Sequence, residues 1–321
     1  MEKNGKLMPD IAFGTYQIPP EKTEEAVLEA IRIGYRHVDC SPAYGNEPEV
    51  GKALRAALEE GLVKEEEMFV TTKLYNTFHR PEHVRQTAVE SKKNLGYVDL
   101  YLLHWPIATS YEAYQRTGDF HPLDDQGKII CDYNIPIHVT WKAMEELVDT
   151  GIVRALGVSN FTVIALHDLL SYARHRPLAN QVELHPFLPQ HRLVSYCLRR
   201  NVKPIAYSPL SSPGFDPSSI TPPSSCTRLP PKPSLFDNSA LLPIAAAHAP
   251  RTVAQVVLKW NLTRGCAIAP KSLNPNRMRE NFQIGDLELS ESEMAIIDSL
   301  HMSSPFRVFD AAYFCDIPCF D

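Results

Sequence analysis

Polar side chains recur where short apolar runs end. Asp39 closes the run 37–39, Lys73 the run 69–73 and His104 the run 100–104. Ser159 and Asn160 follow 153–158, Gln181 lies late in 178–183, Ser208 follows 203–207 and Lys271 follows 266–270. Singly, each has an ordinary explanation: an aspartate caps a turn, a lysine is solvated, a histidine is satisfied in a core. Together with Tyr44, an acid, an amine, an imidazole and a phenol could carry out proton chemistry on a carbonyl. A phenol titrates near ~10 and is a poor donor at neutral pH. A neighbouring Lys73 ammonium is expected to lower that value, with Asp39 holding the ammonium charged. A neutral His104 would donate an N–H to the carbonyl oxygen and orient it. Tyr44, just ahead of the expected helix cap Asn46, then becomes a usable general acid.

Elements that bring such distant residues together must repeat. The runs at 11–13, 37–39, 69–73, 100–104, 153–158, 178–183, 203–207 and 266–270 read as strands. Amphipathic patterns at 21–33, 48–60, 81–95, 137–150, 163–172, 191–200 and 240–260, the last broken near Pro250, read as helices; another follows Pro275 and an extra one spans 291–300. Strand–helix alternation with short connections implies a parallel sheet with helices outside it. Eight such units predict an α/β chain forming a closed (β/α)8 TIM barrel over about 10–283, within one domain spanning 1–321. A doubly wound open sheet would carry a G-x-G-x-x-G turn, and none occurs. Long connections follow the fourth strand (106–136) and the seventh (208–238), and a tail covers 301–321. All fall on the strand-to-helix side, where barrel ligands bind, and read as walls over one cleft. The Pro/Ser-rich stretch 213–233 is equally readable as a lid or a mobile insertion. Phe306, Val308, Phe309 and Tyr313 read either as an apolar wall or as a tail packed on the barrel.

Composition bounds the partners. Hydrophobic residues make up 44% and charged residues 22% of 321, and the formal net charge is −6. That balance argues against nucleic acid or a membrane surface as partner. The seven cysteines are scattered with no C-x-x-C pair, so neither a zinc site nor a disulfide framework is expected, and no metal is assigned. No apolar leader or membrane-length run occurs, making a reduced cytoplasmic protein the default expectation.

The stretch G-Y-R-H-V-D-C-S-P-A-Y-G-N-E from Gly34 to Glu47 resembles the aldo-keto reductase signature. So do V-T-T-K from Val70, L-Y-L-L-H-W-P from Leu100, G-V-S-N-F from Gly157 and A-P-K-S-L-N-P-N-R-M-R-E-N from Ala269. The resemblance covers roughly 13–300 and is nearest the aldose-reductase and xylose-reductase branch. It implies NADPH-dependent reduction of aldehydes, aldoses or ketones, with Tyr44 as proton donor, Lys73 and Asp39 as its pKa-setting partners and His104 as orienter. It further implies that Ser159, Asn160 and Gln181 hold the nicotinamide carboxamide, that Tyr207 stacks on the ring, and that Ser208, Leu210 and Ser212 line the pyrophosphate path. Gly14 and Thr15 fall on the cofactor side. Tyr16, Tyr75 and Trp105 fall on the substrate side, the two tyrosines standing where many relatives have Trp. A monomer is the family default.

The eighth unit bears on the cofactor through its own chemistry. Lys271 and Ser272 precede the cap Asn274 and Pro275, and Arg277 lies in the first turn, with Glu280 and Asn281 on its face toward an adenine. Two cations at a helix N-terminus suit a 2′-phosphate, hence NADP(H) over NAD(H), against the plain alternative of a solvated basic helix start. Two other functions compete: a cofactor-binding regulatory or scaffold protein with little turnover, and an aldolase-type barrel using Lys73 as a Schiff-base amine.

Overall fold

Alternation within each barrel strand decides which side chains can meet. The computed structural model describes residues 2–3, 6–214, 232–311, 315, 317, 319 and 320. A short hairpin, β1 (Glu2–Lys3) and β2 (Lys6–Leu7), precedes the barrel. The barrel strands are β3 (Phe13–Gly14), β4 (His37–Asp39), β5 (Phe69–Leu74), β6 (Leu100–Leu103), β7 (Ala155–Ser159), β8 (Ala179–Glu183), β9 (Lys203–Tyr207) and β10 (Ala267–Ala269). They pair in parallel, in sequence order. The sheet closes where Ala12 N–H donates to Ile268 O at 2.8 Å and Gly14 N–H to Pro270 O at 3.0 Å. The expected (β/α)8 barrel is therefore observed, with shifted ends. The first strand was expected at 11–13, but its ladder to β4 holds only Phe13–Gly14, and Ile11 makes an isolated bridge to Ile268. Ser159 ends β7 rather than following it.

In β6, Leu100 and Leu102 pack into the barrel interior with Met8, Phe69, Ala179 and Ile205. Tyr101 and Leu103 face outward into the layer under the helices, with Val38, Val70, Trp141 and Leu156. The same period of two places Asp39 two residues after His37, Lys73 four after Phe69 and Gln181 two after Ala179, all on the inner face. Apolar residues fill the lower barrel, and polar ones gather at the C-terminal rim.

Helices α1 (Pro20–Ile33), α2 (Glu47–Glu59), α3 (Pro81–Leu95), α5 (Ile137–Asp149), α6 (Val163–Tyr172), α7 (His191–Arg199), α8 (Leu241–Ala247), α9 (Val253–Thr263) and α10 (Pro275–Phe282) surround the sheet, and α11 (Glu291–Ser303) follows. The break expected near Pro250 separates α8 from α9, and α9 restarts with a Thr252–Gln255 capping box. Within the long fourth connection, for which the sequence predicts no helix, α4 (Tyr111–Thr117) forms. Ser110 Oγ accepts from Ala113 N–H, and Gly118 stops the helix in the left-handed region at φ 71°. Asn46 precedes α2 but makes no side-chain cap. Its Nδ2 donates instead to Thr15 O and Ile18 O, both at 3.0 Å. The α2–α3 crossing depends on Gly51, where a Cβ would lie 1.8 Å from Asn94 O.

Among the described residues, no helix is long and apolar enough to cross a membrane. Residues 215–231 of the seventh connection and Tyr313 of the tail lie outside the described residues.

Candidate active site

The C-terminal rim opens into a cleft of about 390 Å3. The Lys73 side chain is fully buried beneath it. Its Nζ donates to Asp39 Oδ1 at 2.7 Å, Cys40 O at 2.9 Å and Tyr44 OH at 3.0 Å. An ammonium has three hydrogens and no lone pair, so all three are engaged and Tyr44 must accept at its oxygen. The phenol's own hydrogen is left to face the cleft. Asp39 is held from its other oxygen by Gln181 Nε2 at 2.6 Å.

Burial pulls the Lys73 pKa down, but Asp39 and Tyr44 together more than reverse this, and the ammonium is held above its usual range. Tyr44 moves opposite to expectation. Burial pushes it up to about 12, outweighing the lowering by Lys73, and Asp39 adds to the rise. The pull of Lys73 has the expected direction but is the smaller effect. Burial, reinforced by Lys73, drives His104 well below the ordinary histidine value, which makes the imidazole neutral. Ser41 Oγ lies 3.4 Å from His104 Nδ1. A hydroxyl donating there leaves the ring proton on Nε2.

A second hydrogen-bonded chain runs along the opposite rim. Tyr207 OH donates to Asn160 Oδ1 at 2.8 Å, and Asn160 Nδ2 donates to His104 O at 3.0 Å and Ser159 Oγ at 3.2 Å. Ser159 Oγ in turn donates to Gln181 O at 2.8 Å. Asn160 holds φ 63°, a left-handed conformation that asparagine tolerates better than most residues. Ser208, Ser211 and Ser212 also have positive φ, at 46°, 57° and 44°. Such turns direct backbone N–H groups into anion-binding concavities.

Three residues beyond Lys271, Asn274 Oδ1 caps α10 by accepting from Asn276 N–H and Arg277 N–H. Arg279 of the same helix is paired with Glu29 at 2.6 Å. Lys271 lines the cleft, and Arg277 is exposed on the first turn of α10.

A profile of the aldo/keto reductase family matches residues 10–301. The chain belongs to the aldo/keto reductase family. It is 40% identical over 307 residues to aldo-keto reductase family 1 member A1-A of Danio rerio, covering 95% of this chain and 90% of that protein. It is 38% identical to aldose reductase C of Dictyostelium discoideum, covering 97% and 93%. Among solved structures, the aldose reductase of Giardia lamblia superposes with a TM-score of 0.86 at 34% identity, covering 98% of each chain. That of Schistosoma japonicum gives 0.84 at 38% identity, covering 98% of this chain and 96% of the other. Membership assigns the general chemistry, reduction of small-molecule carbonyls, and makes this aldo/keto reductase an oxidoreductase.

Within that family frame, the structure gathers most of the residues singled out in the sequence. Asp39, Tyr44, Lys73 and His104 meet on one rim. Gly14, Tyr16, Tyr75, Trp105, Ser159, Asn160, Gln181, Tyr207, Ser208, Leu210, Ser212 and Lys271 line the same cleft. Others stand elsewhere. Thr15 is fully buried and its Oγ1 donates to Asp39 O at 3.0 Å, bracing that strand end from behind. Ser272 Oγ accepts from Asn274 N–H in the turn before α10. Asn281 is buried and Glu280 half-buried on α10. In the tail, Phe309 lines the cleft, whereas Phe306 and Val308 pack into a core with Trp260 and Leu241. Ala311 and Cys315 of the tail line the cleft as well, so among the described residues the tail contributes a short stretch of wall, while Phe306 and Val308 serve packing.

Sequence reasoning missed Asn76, Thr109 and His121 on the cleft wall and Gln17 at its rim. His121 sits in a loop without periodicity, and nothing local marks it. Thr109 could have been found, since it adjoins the Ser110 helix cap.

Proposed function

We propose that this chain reduces aldehydes, aldoses or ketones with NADPH, and that Tyr44 supplies the proton. The observation carrying this reading is the direction of the Lys73–Tyr44 hydrogen bond. An ammonium that only donates fixes Tyr44 as acceptor, so the phenolic hydrogen points at whatever oxygen occupies the cleft. A neutral His104 gives that oxygen a second donor and sets its angle.

The donor set fits a nicotinamide dinucleotide. Tyr207 offers a half-buried aromatic face on β9, and Ser159, Asn160 and Gln181 present amide and hydroxyl groups beside it. The left-handed turns at Ser208 and Ser212 suit a pyrophosphate, while Lys271 and Arg277 flank a helix N-terminus able to take a 2′-phosphate. Bound there, the cofactor would deliver hydride to the carbonyl carbon. Tyr44 gives its proton to the carbonyl oxygen, the product is an alcohol, and Lys73 steadies the phenolate left behind.

Lys73 is a poor candidate for the competing Schiff-base chemistry, because its nitrogen is charged and all its hydrogens are engaged. A non-catalytic binder would not need a buried acid–amine–phenol–imidazole group. The test is loss of NADPH absorbance with a panel of aldoses, aldehydes and ketones, for the wild type and Tyr44→Phe. Wild-type turnover and a loss of roughly a hundredfold or more in the variant, with NADPH affinity kept, would support the reading. Near-normal turnover by Tyr44→Phe would refute the donor assignment.

A further inference from the structure

A carboxylate outside the rim group commands the tail. Glu183 ends β8, two residues beyond Gln181 and therefore on the same inner side, and it is fully buried. Its Oε1 accepts from Val308 N–H at 2.7 Å and its Oε2 from Phe309 N–H at 2.9 Å. The Nε2 of His185, equally buried, lies 2.8 Å from Oε1. Two backbone amides and an imidazole thus satisfy a carboxylate whose burial would otherwise be costly. The adjoining backbone is held too: Gln190 Nε2 donates to Glu183 O at 2.7 Å, and Phe306 N–H donates to Phe187 O at 3.2 Å.

Consecutive amides gripped by one carboxylate leave the following side chain little freedom. That side chain is Phe309, whose ring stands 6.0 Å from Tyr16 and 5.8 Å from Tyr207, centroid to centroid. Tyr16 in turn lies 5.0 Å from Tyr44. The grip therefore ends on an aromatic face between the proposed proton donor's neighbour and the proposed ring-stacking tyrosine.

We propose that Glu183 is a positioning residue for substrate selection. By holding the Val308 and Phe309 amides it presents the Phe309 ring as a cleft wall, which favours carbonyl compounds bearing an aromatic group over those too small to reach it. This rests on the carbonyl-reductase reading of the same cleft. Glu183 touches neither reacting group and acts only through the tail.

In Glu183→Gln, one amide oxygen can still accept, but an NH2 now faces a backbone N–H. The test measures backbone hydrogen exchange at 308–309 and the affinity for 4-nitrobenzaldehyde by quenching of Trp105, a cleft residue. Propanal reduction and NADPH affinity are measured beside them. Faster exchange, a roughly tenfold weaker aromatic affinity and a change in propanal kcat/KM of no more than about twofold would support the proposal. Phe309→Ala should reproduce the aromatic loss, and the double variant should be no worse than Phe309→Ala alone. Unchanged exchange, unchanged aromatic affinity, or equal losses for both aldehydes would overturn it. If Glu183→Gln does not fold, Phe309→Ala decides: full aromatic affinity there removes the wall. Quenching needs no turnover, so a wild type that reduces nothing would defeat the reductase reading and leave this measurement standing.

Discussion

Gln181 Nε2 and Asp39 Oδ2 are joined by a 2.6 Å hydrogen bond across the barrel, although 142 positions separate them in the chain. Gln181 therefore braces the proposed proton-transfer group as well as facing the cleft, and its carbonyl oxygen and second amide N–H remain free of that bond. Gln181→Glu sets a second carboxylate against Asp39, and like charges at that distance cannot both ionise without large cost. We expect kcat for reduction to fall by about tenfold or more, with a smaller loss in Gln181→Met. Equal loss in the two variants would make the effect one of shape and not of charge.

The paired cations can be tested by their preference. Removing Lys271 and Arg277 together should weaken NADPH by about a hundredfold and NADH by only a few-fold, since a doubly contacted phosphate contributes on the order of 1.5–3 kcal/mol per charged hydrogen bond. Isothermal titration with both cofactors measures it. Matching losses would place the phosphate elsewhere.

With Tyr44 as the proposed proton donor, its raised pKa predicts the pH behaviour. A proton donor must be protonated, and reduction fails only as pH rises through its pKa. With that value pushed to about 12, kcat/KM for reduction should stay level from roughly pH 6 to 9. Oxidation of the product alcohol needs the phenolate and should quicken as pH rises over the same range. A descending limb for reduction near neutrality would contradict this.

Stability has its own titration. His79 is buried with its pKa lowered to about 3 by burial, against 6.5 in the unfolded chain. Below 6.5 the unfolded state binds the extra proton, so stability is full above that pH and drains away down to about 3, at roughly 1.4 kcal/mol per pH unit. Replacing His79 with Gln should flatten that part of the stability–pH curve, measured by urea melts.

Gly51 offers a test of packing. The missing Cβ lets α2 approach α3 at Asn94 O, so Gly51→Ala forces backbone apart. A loss of about 1–3 kcal/mol or more is expected in the same melts.

The rim was legible where spacing alone decides. Strand parity carries Asp39 and Lys73 inward regardless of what surrounds them. His104, one residue past the end of β6, keeps that parity and faces the cleft. What escaped was whatever depends on distant packing. The direction of the Tyr44 shift turns on how completely the phenol is buried, which no local pattern encodes. The Gln181–Asp39 bond joins the sixth barrel strand to the second, so neither residue's neighbours announce the other. The helix α4 was readable in hindsight, from Ser110 as cap and Gly118 as stop. Glu183 also left a trace, an acid in an otherwise buried strand two positions after Gln181, but its partners are backbone amides 125 and 126 residues away.

One pairing on α10 separates two properties that assays usually mix. Glu29 neutralises Arg279, whereas Arg277, two positions earlier, stands exposed to mobile ions. The Lys73–Asp39 pair is sealed beneath the cleft. Added sodium chloride screens the former within about 10 Å at 0.1 M and hardly touches the latter. With Arg277 in its proposed place at the cofactor phosphate, ionic strength is a dial expected to loosen cofactor capture while leaving the turnover of a saturated enzyme where it was.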